Sequence, residues 1–108
     1  MIVEIELQQD VAHFGFAVEM DSITYQLSFR WNARAGRWFM DVADGDGNAL
    51  RRGIAMIPDA PLLRRFGLGD AFPGELMLVD THGFGADPGF EDLGRRHRLY
   101  HFLASDLA

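Results

Sequence analysis

The chain contains no cysteine and no lysine, only three serines and four prolines, and no long run of apolar residues. Without thiols there is no disulfide scaffold, no thiolate zinc site and no thiol nucleophile. Without lysine there is no Schiff-base chemistry. The serines, Ser22, Ser28 and Ser105, do not occupy the glycine-flanked strand-to-helix elbow from which a hydrolase serine attacks. No apolar stretch approaches the roughly 18 residues that span a membrane. Met1-Ile2-Val3-Glu4 lacks the basic start of a signal peptide, so neither membrane nor export is expected. Positive charge is also short: 10 arginines against 16 Asp and Glu give a net charge of -6. That is the wrong sign for displacing counterions from nucleic acid.

What is present suits one globular domain over residues 1–108. Hydrophobic residues make up 48% and charged residues 24%, the balance of a chain that can bury a core, and two halves of this length could not each bury their own. Period-two alternation dominates the first half. Ile23, Tyr25, Leu27, Phe29 and Trp31 share one face of a strand, with Thr24, Gln26, Ser28 and Arg30 on the other. Phe14, Phe16, Val18 and Met20 alternate in the same way just upstream, and Met20-Asp21-Ser22 reads as a tight hairpin corner. Val3, Ile5 and Leu7 predict a first strand running to Gln8. Trp38, Met40 and Val42 predict another after the Asn32–Gly36 loop. Asp44-Gly45-Asp46-Gly47-Asn48 is the strongest turn signal, with a returning strand over 50–57.

The second half is less regular. Pro58 and Pro61 interrupt the sheet, and Leu62–Phe66 predicts one helical turn. Glu75–Val79 suits a strand buried on both sides, and Arg98–Leu103 a closing strand. A glycine-rich loop over 81–89 leads to Phe90–Leu93, predicted as a second helical turn. Ordering ten strand residues costs roughly 10–20 kcal/mol, while burying five apolar side chains returns roughly 8–15. An isolated strand therefore loses, and about seven strands must share one core. The expectation is an all-β chain with minor helical turns, folded as a small OB-like antiparallel barrel of six or seven strands.

Chemical constellations are sparse. Asp44-x-Asp46-x-Asn48 opens like a calcium loop, but Ala49 stands where the bend needs glycine and Ala55 where a bidentate Glu belongs. His13, His82, His97 and His101 lack zinc-motif spacing; a metal-dependent hydrolase around Asp80, His82 and His101 is the enzyme alternative. Arginine doublets with Trp31, Trp38, Phe14 and Phe16 would suit a free OB-like module for single-stranded nucleic acid or oligosaccharide. Arginine forks facing carboxylates at protein interfaces explain the doublets more economically. No enzyme activity, metal or cofactor is expected.

One distributed block resembles a known family. It comprises Phe29-Arg30-Trp31-Asn32, Gly36-Arg37-Trp38, Asp41, Asp44-x-Asp46-Gly47, Gly53-Ile54 and Leu62-Leu63. Asp80-Thr81, Asp87-Pro88-x-Phe90-x-Asp92-Leu93-Gly94-x-Arg96 and Leu99-Tyr100 continue it. From about Phe14 to Phe102 this resembles the baseplate plug-protein domain of contractile-tailed bacteriophages, first placed among cyanophages. The resemblance implies an OB-like barrel acting as a structural part of the virion tail baseplate. It would be made in the bacterial host cytoplasm and packed with hub, spike or tail-tube proteins, in one or more copies. It implies no catalytic residue and no cofactor. The family positions carried over as fold and contact candidates are Trp31, Asn32, Arg37, Trp38, Asp41, Asp46, Asp87 and Asp92. Arg37 and Asp41 are expected on the strand face opposite Trp38. The proline-rich Ile57–Pro61 stretch departs from the glycine-bearing turn more usual in the family.

Overall fold

The computed structural model describes residues 2–107. Seven strands form two antiparallel sheets: β1 (Ile2–Ile5), β2 (His13–Met20), β3 (Ile23–Asn32), β4 (Arg37–Asp44), β5 (Ala49–Ala55), β6 (Glu75–Asp80) and β7 (His97–Phe102). One sheet is the meander β2-β3-β4-β5; the other has the order β1-β7-β6. Short 3-10 turns cover Arg64–Phe66, Gly69–Ala71 and Ala104–Leu107.

The alternation read from the sequence is the burial pattern at the centre of the sheet, while Phe16, Val18 and Trp31 are half-buried and Ile23, expected on the inward face, is 39% exposed. Tyr25, Leu27 and Phe29 of β3 and Trp38, Met40 and Val42 of β4 are buried, and join Ile5, Leu76, Leu78 and Leu99 of the other sheet in one cluster. The β2–β3 hairpin closes through two residues, Asp21 and Ser22, both with positive φ (52° and 63°). Such a turn matches the right-handed twist of the strands it joins. The Asp44–Asn48 turn is held by its own carboxylate. Asp44 Oδ1 accepts from the backbone N–H of Asp46 at 3.0 Å and of Asn48 at 2.9 Å.

A bulge steers the chain from one sheet to the other. The β4–β5 register shifts around Val42, and Gly53 sits opposite Asp41 with φ of 70°. Asp41 Oδ1 accepts from the Gly53 N–H at 2.7 Å, so a side chain replaces the missing ladder bond. Beyond β5, Met56 donates to Trp38, and then Asp59 and Leu62 donate to Leu78 and Leu76 of β6. Pro58 and Pro61 fit this crossing because each lies at an edge position beside a residue that donates in its place. The crossing is the hydrogen-bonded link between the sheets on that side. On the other side, no ladder joins β1 to β2 among the described residues, so a barrel closed by strand pairing is not what forms.

Three local expectations need correction. The first strand stops at Ile5 instead of reaching Gln8. Continuing the ladder would pair Leu7 with His97, whose N–H and C=O are already taken by the Asp92 carbonyl and the Gly94 N–H. Phe90–Leu93 is not a helical turn. Asp92 donates to the Gly89 carbonyl and Arg95 to that of Asp92, giving two successive tight turns. The third correction is that Gly69–Ala71 and Ala104–Leu107 add 3-10 turns beyond the one expected near Phe66.

Candidate functional site

The family-motif residues converge mainly on one end of the molecule, where the β3–β4 hairpin meets the loop between β6 and β7. Trp38 is buried and stacks on Phe90 at 5.9 Å between ring centroids, while Trp31 packs against both rings at 5.7 and 5.9 Å. Trp38 Nε1 donates to the Gly89 carbonyl at 3.2 Å. Arg37 and Asp41 lie on the opposite strand face, as the alternation requires. Arg37 reaches Asp87 at 3.0 Å, Asp92 Oδ2 accepts from the Gly89 N–H at 2.8 Å, and Asn32 Oδ1 accepts from the Ala35 N–H at 3.0 Å. Six of the eight candidates therefore shape the hairpin end or lock the 81–96 loop onto it. Asp41 stands apart, paired with Arg30 at 2.7 Å and holding the bulge. Burial raises its carboxyl pKa, but the Arg30 and Gly53 hydrogen bonds outweigh burial and leave it below the ordinary range. Asp46 is exposed in the β4–β5 turn, away from the others.

The 81–96 loop is clamped at its base by a buried carboxylate. Asp80 accepts from Arg96 at 2.8 and 3.0 Å, from the His82 N–H at 3.0 Å and from the Ala86 N–H at 3.1 Å. The Arg96 hydrogen bond, opposed by burial and aided by both backbone donors, holds the Asp80 carboxyl far below the ordinary range. Thr81 closes the base by donating its N–H and hydroxyl to the Arg96 carbonyl. Buried His97 adds a further tie through Nε2 to the Ala86 carbonyl. On this hydrogen-bonded base the loop presents Phe84, 83% exposed, between Gly83 and Gly85.

These contacts also redistribute the groups that suggested chemistry. The β6–β7 register places Asp80 opposite His97 and Leu76 opposite His101, four positions along the ladder. Asp80 and His101 are thus about 13 Å apart along the sheet, too far to share one metal. Asp80 is engaged with Arg96, while His101 lies 3.4 Å from Asp21 at the far end. The Asp44 carboxylate is turned into its own loop. Phe14, Phe16 and Phe29 stack on one another and Trp38 meets Phe14 edge-on, so these rings pack mainly against each other. Many arginines are engaged within the chain: Arg95 with Asp10, Arg98 with Glu4, and Arg51 and Arg65 over the Phe66 ring.

Two features escaped the sequence reading. Phe84 is an apolar side chain isolated by glycines inside a polar loop, a pattern visible in the sequence once the base of the loop is known to be clamped. The Asp80–Arg96 clamp has no local signal, because its partners are sixteen residues apart. Against known proteins, residues 2–104 match the family model described as cyanophage baseplate Pam3 plug gp18. No curated protein matches the chain.

Proposed function

Because the chain belongs to the cyanophage baseplate Pam3 plug gp18 family and is a structural component of a phage tail baseplate associated with other baseplate components, we propose that it packs against the hub beside the tube and spike of a contractile tail. It does so as a partly open OB-like barrel, assembled after synthesis in the host cytoplasm. It acts through protein contacts without catalysis or cofactor.

The observation that carries the contact reading is Phe84. A largely exposed aromatic ring on a loop clamped at its base by an ion pair with a buried carboxylate is pre-organised to enter a partner's pocket at reduced entropic cost. The exposed Ala33–Gly36 loop of the β3–β4 hairpin lies at the same end, tied in through Arg37 and Asp87. The contact surface is therefore the loop end of the molecule, with Trp31, Trp38 and Asp92 supporting it from beneath.

Purified tails test this reading directly. The chain is expected in them, cross-linked through its carboxylates to hub lysines, since it has no lysine of its own for amine-reactive reagents. Phe84→Ala should leave the melting curve within about 0.5 kcal/mol of wild type, as for other surface changes. It should still reduce incorporation into tails at least tenfold. Absence of the chain from purified tails would overturn the baseplate assignment, and normal incorporation of the variant would overturn the contact surface.

A further inference from the structure

The two sheets leave an open seam between β1 and β2, and its two margins are strand edges. Ala12 and Trp31 are a hydrogen-bonded pair, since Trp31 donates to the Ala12 carbonyl at 2.8 Å. Pairs alternate along an antiparallel ladder, so Phe14, Phe16, Val18 and Met20 bond to β3. The backbone groups of Gly15, Ala17 and Glu19 point away from it, into the seam. The backbone of β1 alternates in the same way. Thr81 donates to Arg96, which fixes Arg98, Tyr100 and Phe102 as the β7 residues bonded to β6. Leu99 and His101 are left to bond Ile5 and Val3, and the backbone of Glu4 faces the seam from the other side.

Between these margins runs a groove of about 560 Å³ whose walls include Ile5, Phe16 and Val18 on the inner side and Glu4, Glu6 and Glu19 on the outer rim. Natural sheets blunt such edges with lysine, proline or a covering loop. Here there is no lysine, neither edge strand contains proline, and Ile2 and Val3 are 55% and 39% exposed. Glu4 is satisfied by Arg98, whereas Glu6 and Glu19 have no ion-pair partner among the described residues.

We propose that this seam receives an extended segment of a partner protein as an added strand, one that alternates apolar and basic residues. Its backbone would bond the free groups of β2, and of β1 on the opposite side. Alternate side chains would enter toward Ile5, Phe16 and Val18, and the intervening arginines or lysines would meet Glu6 and Glu19 on the rim. The acidic rim and the net charge of -6 select a basic occupant over an acidic one. That the partner is a baseplate component rests on the functional reading above; the edge and its charge do not.

The test uses the free full-length chain, so its outcome is independent of whether the chain is found in tails. The probe is a fluorescent hexapeptide of alternating arginine and valine, with a glutamate-for-arginine counterpart as control. Saturable anisotropy binding of the arginine peptide is expected, with amide exchange at Gly15, Ala17 and Glu19 slowed at least tenfold. Ala17→Pro removes only an N–H that faces the seam and should weaken binding at least tenfold while the protein still melts cooperatively. Should that variant fail to fold, the exposed double change Glu6→Arg with Glu19→Arg is expected to give the same loss. No saturable binding at millimolar peptide, or equal binding of the glutamate peptide, would overturn the proposal. So would unchanged affinity in whichever variant folds. A concentration-dependent dimer that Ala17→Pro dissolves would name a second copy as the occupant and overturn it equally.

Discussion

Trp38 and Phe84 are both aromatic residues of the same chain, and only their surroundings separate a core role from a contact role. Trp38 is 1% exposed, stacked on Phe90 and bonded to the Gly89 carbonyl. Replacing it by alanine removes a large ring and leaves a cavity that the surrounding sheet cannot collapse into. The expected loss is about 3–5 kcal/mol in denaturant melts, and a loss under about 1 kcal/mol would show the ring to be dispensable for the fold. Its burial was legible from period-two alternation with Met40 and Val42. The role of Asp41 was only half legible. The alternation placed it outside the core, but its function of holding a bulge depends on a register shift with Gly53 that no local pattern announces. Gly74 is a similar case. A Cβ there would lie 2.5 Å from the Phe102 carbonyl and 2.7 Å from both Asp21 and His101, a crowding that arises only when distant segments meet.

Among the elements, the β2–β3 hairpin is the most sharply specified by sequence. Two apolar alternations separated by Asp21-Ser22 leave little choice of register, because a one-residue slip would turn either Phe14 and Phe16 or Tyr25 and Leu27 outward. The turn itself carries strain, since neither residue is a glycine and both lie in the left-handed region. Ser22→Gly should therefore raise stability by about 0.5–1 kcal/mol, read as a higher urea midpoint at unchanged slope. An unchanged or lower midpoint would show that the strain is already relieved. The equivalent change at Asp21 should not help, because its carboxylate accepts the Ala104 N–H at 3.1 and 3.2 Å. Elements of the second half carry weaker local signals. The truncation of β1 follows from competition for the backbone of His97, which the adjoining 92–94 turn satisfies in place of Leu7, far away in sequence.

Across the molecule, two buried titratable sites at opposite ends of the β6–β7 ladder tie stability to pH. Burial pushes the His101 imidazole below its ordinary value near 6.5, with Asp21 opposing, and the Arg96 hydrogen bond pushes Asp80 below the ordinary 3.8. In both cases the unfolded chain binds more protons than the folded one once pH drops under the ordinary value. Stability should therefore be full near pH 7 and decline in two stages, the first setting in below about 6.5 and the second below about 3.8. Asp41 and Asp44, also lowered, add to the second stage. Urea midpoints measured from pH 7.5 to 3 check this. His101→Gln should flatten the first stage and Asp80→Asn should shallow the second. A midpoint that rises on acidification from 7 to 5 would reverse the assigned direction for His101.

Alternating apolar residues were enough to specify an all-β chain and the core faces of β2, β3 and β4, while the absent cysteine and lysine and the acidic balance bore only on its chemistry and partners. Periodicity is a local property, and burial follows it wherever neighbouring strands pair in sequence order. The spaced aromatic, glycine and aspartate positions likewise carried the resemblance to a baseplate plug. Only the folded chain decides that the sheets stay open between β1 and β2, that Arg96 closes on Asp80, and that Phe84 stands out on the clamped base this makes. Each of these depends on which segments far apart in the chain come to share space. Their hydrogen bonds form between groups that the linear pattern leaves uncorrelated.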